Sequence, residues 1–488
     1  MNLKKYTTKK STKTILLLLS VFIVAEQKIN AQNFTPQSID TLSNYLYSLQ
    51  YSDNTLPSYG GVKKNKGLAI IGGQNYCSVE PYFNHIAAIG ILKSNHPDKC
   101  GFAKRWMNWY LNHLDFQGKT LNHFYKQDGT GESTCPPGGT GFFCNHIDAE
   151  DSDLALFWIL AYDYYTNSND LAFFTPAVKT KLETAAKFMM DSLIFSDNLS
   201  VPMRSYPIKY TMDNSEVYQG LLRLSKIESL IYNDTAKSSL YLSKANAVKT
   251  AIRTLLYNNA AGLYDFYLGS AVDSTQWYNS GIVASLWPQL FGVDSLSDAR
   301  SIHHRNVLHN NFDGTPNTNW TTPAFLGTVD AFTWASIGYL FSLAGDTAKG
   351  FAQANYISNV FVSPFPSTPC YVADAGWAIM NMALKYPATS SCALTTEIKG
   401  YEANKEAITI YPNPVKDKLF LSFNNNLITD VSLKIFDELG REVLKFKLLN
   451  NYQTTTIDIS QFTPGFYYIN ASSDDNSIMY NRKFIVTK

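Results

Sequence analysis

What the 488-residue chain has least of is charge: Asp, Glu, Lys and Arg make up 17% of it, the apolar residues 45%, and the formal net charge is +1. That balance suits a folded, globular protein rather than a disordered one. Lys and Arg form no basic stripe in the central region, so nucleic acid is not an expected partner. No apolar run reaches the roughly 20 residues that span a bilayer, and no transmembrane segment is expected in the mature protein. Cysteine is sparse at six, without the CxxC spacing of a metal or redox site. The sequence holds no GxSxG elbow, phosphate-binding loop, dinucleotide fingerprint or HExxH pattern, so neither a nucleotide cofactor nor a metal is implied. His303, His304 and His309 fall on an outer helix, and His85, His96, His113 and His123 show no ligand spacing.

Aromatic residues, by contrast, are plentiful: 31 Tyr, 29 Phe and 8 Trp. They suit either helix packing or flat platforms for sugar rings. The N-terminus also stands out. Lys4, Lys5, Lys9, Lys10 and Lys13 precede the apolar run Ile15 to Ala25, and a small residue, Ala31, permits cleavage before Gln32. A charged segment, a short apolar segment and a small-residue exit predict a signal peptide over 1–31. The cysteines agree with an oxidising destination. Proximity in sequence pairs Cys77 with Cys100, Cys135 with Cys144 and Cys370 with Cys392.

From residue 32 to about 390 the period is helical, with about twelve segments of ordinary length. They fall near 36–52, 79–94, 101–114, 150–166, 174–194, 213–231, 235–257, 277–291, 295–310, 325–344, 346–361 and 371–386. Odd segments are amphipathic, as in Lys179 to Ser192. Even ones are apolar on most faces, as in Asp153 to Ala161, and belong inside. Alternating outer and inner helices predict a mainly α architecture, an (α/α)6 toroid; a helical solenoid is the alternative. The stretch 119–146 is Gly-rich and aromatic and suits a hairpin or a long functional loop.

A linker is expected over 391–407. From Ile408 the period becomes two, with strands at Lys418–Phe423, Val431–Phe436, Tyr452–Ile459, Phe466–Ile469 and Lys483–Val486. These make a small all-β, immunoglobulin-like sandwich over 408–488. Tyr411-Pro412-Asn413-Pro414, Ile435 to Val443, Pro464-Gly465-Phe466-Tyr467-Tyr468 and Lys483-Phe484-Ile485-Val486 resemble the C-terminal sorting domain of type IX (Por) secretion. The resemblance implies passage through the periplasm and the type IX machinery, ending outside the cell or attached to its surface.

In a toroid the inner helices run parallel, so their N-termini meet at one end. The segments opening them carry carboxylates and aromatics: Glu80 with Tyr82; His146, Asp148, Asp151 and Asp153; Asp213, Glu216 and Tyr218; Trp277 and Tyr278; Asp330 and Trp334; Asp374 and Trp377. Acids supply proton transfer and rings supply stacking, which suits a carbohydrate substrate. The same acids also cap helix starts, and Asp213 with Glu216 has capping-box spacing. A helix N-terminus lowers an acid's pKa, whereas a proton donor needs it raised by burial or by a neighbouring carboxylate. The Asp148–Asp153 cluster and Glu80 are where raising is expected.

Ile147 to Ala161 is similar to the acid-rich segment of family 8 glycoside hydrolases, and the helical region resembles the six-hairpin glycosidase superfamily. Ser78-Val79-Glu80-Pro81 stands where that family carries Ser-Glu-Gly, which would make Glu80 an acid. The resemblance implies a secreted glycoside hydrolase with Asp151, Asp213, Asp148, Asp153, Glu216 and Glu80 as candidate catalytic residues. Substrate contacts would come from Tyr82, His146, Tyr218, Trp277, Tyr278, Asp330, Trp334, Asp374 and Trp377. A polysaccharide lyase or uronate epimerase, using Tyr210, Tyr218, His146 and Arg204, is one alternative. A non-catalytic glycan-binding protein is another.

Overall fold

The computed structural model of the protein describes residues 34–314, 319–322, 334–362, 371–389, 391–392, 408–423, 431–437, 441–448, 454–473 and 479–487. The chain divides into two compact units, one ending at Ala393 and one beginning at Leu394.

Twelve α-helices are found among the described residues of the first unit. Six are outer: α1 (Pro36–Leu49), α3 (Lys99–His113), α5 (Pro176–Phe188), α7 (Thr235–Ala251), α9 (Ala299–Phe312) and α11 (Thr347–Val362). Six are inner: α2 (Pro81–Leu92), α4 (Glu150–Ser168), α6 (Thr211–Leu230), α8 (Val283–Leu290), α10 (Ala335–Leu343) and α12 (Val372–Ala383). Each inner helix packs on the next, and α12 packs back on α2, which closes the ring. The solenoid alternative is thereby excluded.

Sequence pattern explains the sorting of the helices. In α4 every residue from Glu150 to Ala161 is buried, because neighbours lie on all its sides. Outer α5 buries only Leu182, Ala185 and Ala186, an i, i+3, i+4 stripe. Two close approaches need small residues. A Cβ on Gly90 would lie 2.4 Å from the Gly376 Cα, so α2 and α12 meet glycine to glycine where the ring closes. Gly220 of α6 likewise faces the Ala155 backbone of α4 at 2.6 Å.

The last helix thus lies beside the first inner one, and this corrects a cysteine pairing. Cys100, at the start of α3, is joined to Cys392 across 292 residues, not to Cys77. Cys77 is a buried free thiol in the apolar core. Cys135 and Cys144 are joined as expected. The expected pairing of Cys370 with Cys392 is overturned as well, since Cys392 is taken by Cys100; Cys370 itself lies outside the described residues.

Short strands decorate the ring: β1 (Ala69–Ile71), β2 (Gln74–Val79) and β3 (His123–Tyr125) form one antiparallel sheet, and β4 (Tyr257–Asn258) pairs with β5 (Leu263–Tyr264). β3 falls in the expected hairpin region: Phe124 bridges antiparallel to Ser133 within it, and β3 also pairs with β2.

The second unit holds β6 (Ile408–Tyr411), β7 (Lys418–Phe423), β8 (Val431–Asp437), β9 (Glu442–Leu448), β10 (Thr454–Asp458), β11 (Gly465–Ser473) and β12 (Met479–Val486). They form two antiparallel sheets, β10-β7-β6 and β12-β11-β8-β9. Alternate residues of β8, Val431, Leu433 and Ile435, enter the core. The sequence pattern does not single out β9; it is a sheet edge whose Glu442, Lys445 and Lys447 face solvent, as edges that avoid pairing do.

Candidate active site

The N-terminal ends of all six inner helices line one cavity of about 630 Å3. α2 contributes Tyr82 and Phe83; the segment before α4 contributes Phe142, His146 and Asp148; α6 contributes Asp213 and Glu216. Tyr278 precedes α8, Trp287 lies within it, Trp334 caps α10, and Asp374 and Trp377 come from α12. Of the residues expected from sequence, the fold therefore brings together Tyr82, His146, Asp148, Asp213, Glu216, Tyr278, Trp334, Asp374 and Trp377.

One carboxylate oxygen of Glu216 is engaged by two donors: Oε1 accepts from the Tyr82 hydroxyl at 2.9 Å and from Trp287 Nε1 at 3.0 Å. Burial pushes its carboxyl up to about 7, while these donors pull the other way by favouring the anion. Asp213, one turn earlier, faces the same cavity. Burial raises it well above the usual range, and the nearby Asp151, Glu216 and Asp148 add to the rise. Six helix N-termini gather here, and their dipoles favour negative charge. At Asp213, desolvation and three like charges outweigh them.

Asp148 is exposed at the cavity lip. Asp374 accepts from the Tyr371 backbone N–H at 3.3 Å and so caps α12 while lining the cavity. Rings form one wall: Tyr210 meets Phe266 edge-on at 5.4 Å, Phe266 meets Tyr278 at 5.2 Å, and Tyr278 meets Trp334 at 4.8 Å. Trp334 sits at φ 54°, ψ 39°, a left-handed conformation that is rare for a bulky residue.

The other expected residues do not reach the cavity. Ser152 lines it, and on a helix that turns 100° per residue Asp151 and Asp153 point to either side. Asp151 is completely buried, accepts from Ser200 Oγ at 2.6 Å and from the Ser152 N–H at 2.9 Å, and is pushed up to about 6 by burial. Ser200 is also held by Asn214, so Asp151 helps to fix the segment bearing Met203 at the cavity. Asp153 is locked between His85 and Tyr110. Glu80 occupies the N-cap position of α2 without a side-chain capping bond and pairs with Lys64 at 2.6 Å. Tyr218 faces outward under Lys249, and Trp277 packs against Phe312 and Trp320. Asp330 lies outside the described residues.

Sequence reasoning missed Trp287, Tyr206, Met203 and Phe142 as lining residues. Trp287 sits inside α8 rather than at its start, so no helix-opening signal marks it. Phe142 lies in the Gly-rich, aromatic stretch 119–146, which suits a functional loop without singling out this residue.

Comparison with known proteins bears out the tail resemblance: residues 409–487 match the family described as the secretion system C-terminal sorting domain. No curated protein matches the chain. Among solved structures, the chain is similar to the GH63 mannosylglycerate hydrolase of Thermus thermophilus, at 10% identity and a TM-score of 0.43, covering 70% of this chain and 98% of that one. It is similar to a metal-independent α-mannosidase of Streptococcus pneumoniae at 11% identity and a TM-score of 0.45, covering 72% and 94%. A GH76 α-mannanase of Bacteroides thetaiotaomicron is similar at 13% identity and a TM-score of 0.42, covering 73% and 98%.

Proposed function

We propose that the helical ring is an exported glycoside hydrolase acting on an uncharged oligo- or polysaccharide. The observation that carries this is the pair Asp213 and Glu216, two carboxyl groups in unlike surroundings on one aromatic-walled cavity. Asp213, held protonated, gives its proton to the glycosidic oxygen as the C–O bond breaks. Glu216, whose anion accepts from Tyr82 and Trp287, takes a proton from the attacking water. Water oxygen ends on the sugar carbon and the leaving sugar keeps the donated proton. Tyr278, Trp334 and Trp377 offer faces for the sugar rings. The sorting domain supports export by the type IX route, secreted or surface-attached, with residues 1–31 as the removable signal.

Two features disfavour a lyase or epimerase. None of the described lining residues is Lys or Arg, so a uronate would meet Asp148, Asp213, Glu216 and Asp374 with no neutralising cation. Arg204 is exposed and does not line the cavity. A phenolate base is also disfavoured: burial raises the Tyr210 phenol, with Tyr206 adding to it, and burial beside Glu216 raises Tyr82.

Incubation with a panel of neutral and uronate glycans is expected to release reducing sugar from a neutral member, without the ultraviolet absorbance of unsaturated uronates. Absorbance with uronate glycans would instead establish a lyase. Binding without either product would leave a glycan-binding protein.

A further inference from the structure

Away from the cavity, His113 at the end of α3, His123 in β3 and Glu132 in the following loop converge. His113 Nε2 and His123 Nδ1 each lie 2.9 Å from Glu132 Oε1, and the three atoms fall within 4.8 Å of one another. We propose that these three side chains bind one divalent transition-metal ion, with Zn2+ the ion their ligand types suit best.

Hydrogen bonding around the ligands points to a cation. His113 Nδ1 lies 2.6 Å from the Trp109 carbonyl oxygen, which can only accept, so Nδ1 carries a proton. In the neutral ring Nε2 then presents a lone pair to a carboxylate oxygen at 2.9 Å. Either a proton on Nε2 or a metal ion bound by both groups satisfies that contact, and the metal also engages His123. A histidine whose other nitrogen donates to a backbone carbonyl is the usual arrangement of a metal ligand. His123, 8% exposed, gives an independent sign: its Nδ1 is buried and makes no aligned hydrogen bond, although Glu132 is close.

Tetrahedral zinc with bonds near 2.0–2.1 Å holds neighbouring ligand atoms about 3.3 Å apart. The two contacts to Glu132 Oε1, at 2.9 Å, need only a few tenths of an ångström of adjustment, and the two histidine nitrogens lie within 4.8 Å of each other. Outer support is in place as well. The Tyr125 hydroxyl accepts from Trp109 Nε1 at 3.1 Å, and the Trp109 ring stacks on His113 at 4.0 Å. Glu132 is exposed, leaving a side open to water as the fourth ligand.

The ligands come from a helix, a strand and a loop, so no sequence spacing announces them. Placement suggests a structural role. Glu132 lies three residues before Cys135, whose bridge to Cys144 closes the segment that carries Phe142, His146 and Asp148 to the cavity. The ion would anchor the base of that segment to α3.

Full-length protein, stripped with chelator and dialysed, is titrated with Zn2+ against a chromogenic competitor and, separately, with Co2+ followed by its visible absorption. One ion per chain is expected, with a tetrahedral cobalt spectrum. His113→Gln and Glu132→Gln are each expected to weaken Zn2+ binding at least tenfold. Should His113→Gln fail to fold, Glu132→Gln decides, because its side chain is exposed and its far-ultraviolet circular dichroism should match the wild type. Absence of stoichiometric uptake, as a proton shared between His113 and Glu132 would give, overturns the site. So does unchanged affinity in Glu132→Gln.

Discussion

Asp213→Asn and Glu216→Gln are each expected to lower kcat on the neutral glycan by about 10³-fold, within the usual range for losing a positioned acid or base. Both variants should stay folded. Asp213 and Glu216 have folded pKa values raised above the unfolded ones, so their contribution to stability is full below about pH 4 and is lost as pH rises through the folded values. An amide at either position removes that loss. Above pH 7 each variant should therefore melt no lower than the wild type, which a residue needed only for folding would not allow. The pH profile separates the two roles. Activity should fall toward low pH as Glu216, raised to about 7, gains a proton, and fall on the alkaline side where Asp213, raised well above its usual range, gives one up, the two limbs belonging to the coupled pair. Aryl glycosides with good leaving groups need little acid help, so they should restore Asp213→Asn far more than Glu216→Gln. Equal restoration, or near-normal kcat in both variants, would sink the assignment.

The ring was legible because α/α packing writes itself into composition: a helix enclosed on all sides has to be apolar on all sides, as α4 is, and a helix on the outside carries one stripe, as α5 does. Closure followed from small residues whose purpose shows only in three dimensions, Gly90 against Gly376. The cavity was legible to the extent that parallel inner helices bring their N-termini together. What sequence could not supply was rotation about each helix axis. Asp151, Ser152 and Asp153 are consecutive, and only the serine lines the cavity. Charge density was a partial guide: among the four acids in the six residues from Asp148 to Asp153, burial raises Asp151 to about 6 and also raises Glu150, with neighbouring acids adding a smaller part. Asp213 is raised well above its usual range, by burial first and then by Asp151, Glu216 and Asp148, because α6 packs directly on α4. Cys77 teaches the same point, since nearness in sequence put it with Cys100 and the fold put Cys392 there.

Asp153→Ala is expected to destabilise the ring by about 3–5 kcal/mol, the cost of stranding buried polar partners. Trp106 Nε1 donates to His85 Nδ1 at 3.1 Å, so the neutral imidazole carries its proton on Nε2, 3.1 Å from Asp153 Oδ1. Tyr110 donates to Oδ2 at 2.6 Å. All four side chains are buried, and they tie α2, α3 and α4 into one wedge of the ring. Alanine leaves the His85 N–H and the Tyr110 O–H without acceptors and opens a void between three helices. Asparagine keeps the volume but offers one acceptor and one misplaced donor, so a smaller loss of about 1–3 kcal/mol is expected. Urea unfolding followed by tryptophan fluorescence measures this for the ring alone, because all eight Trp lie between residues 106 and 377. Asp153 reaches no part of the cavity, so Asp153→Asn should keep most of its kcat at temperatures where it is folded. Unchanged stability in Asp153→Ala would refute the structural role, and a folded but inactive Asp153→Asn would return Asp153 to the catalytic set.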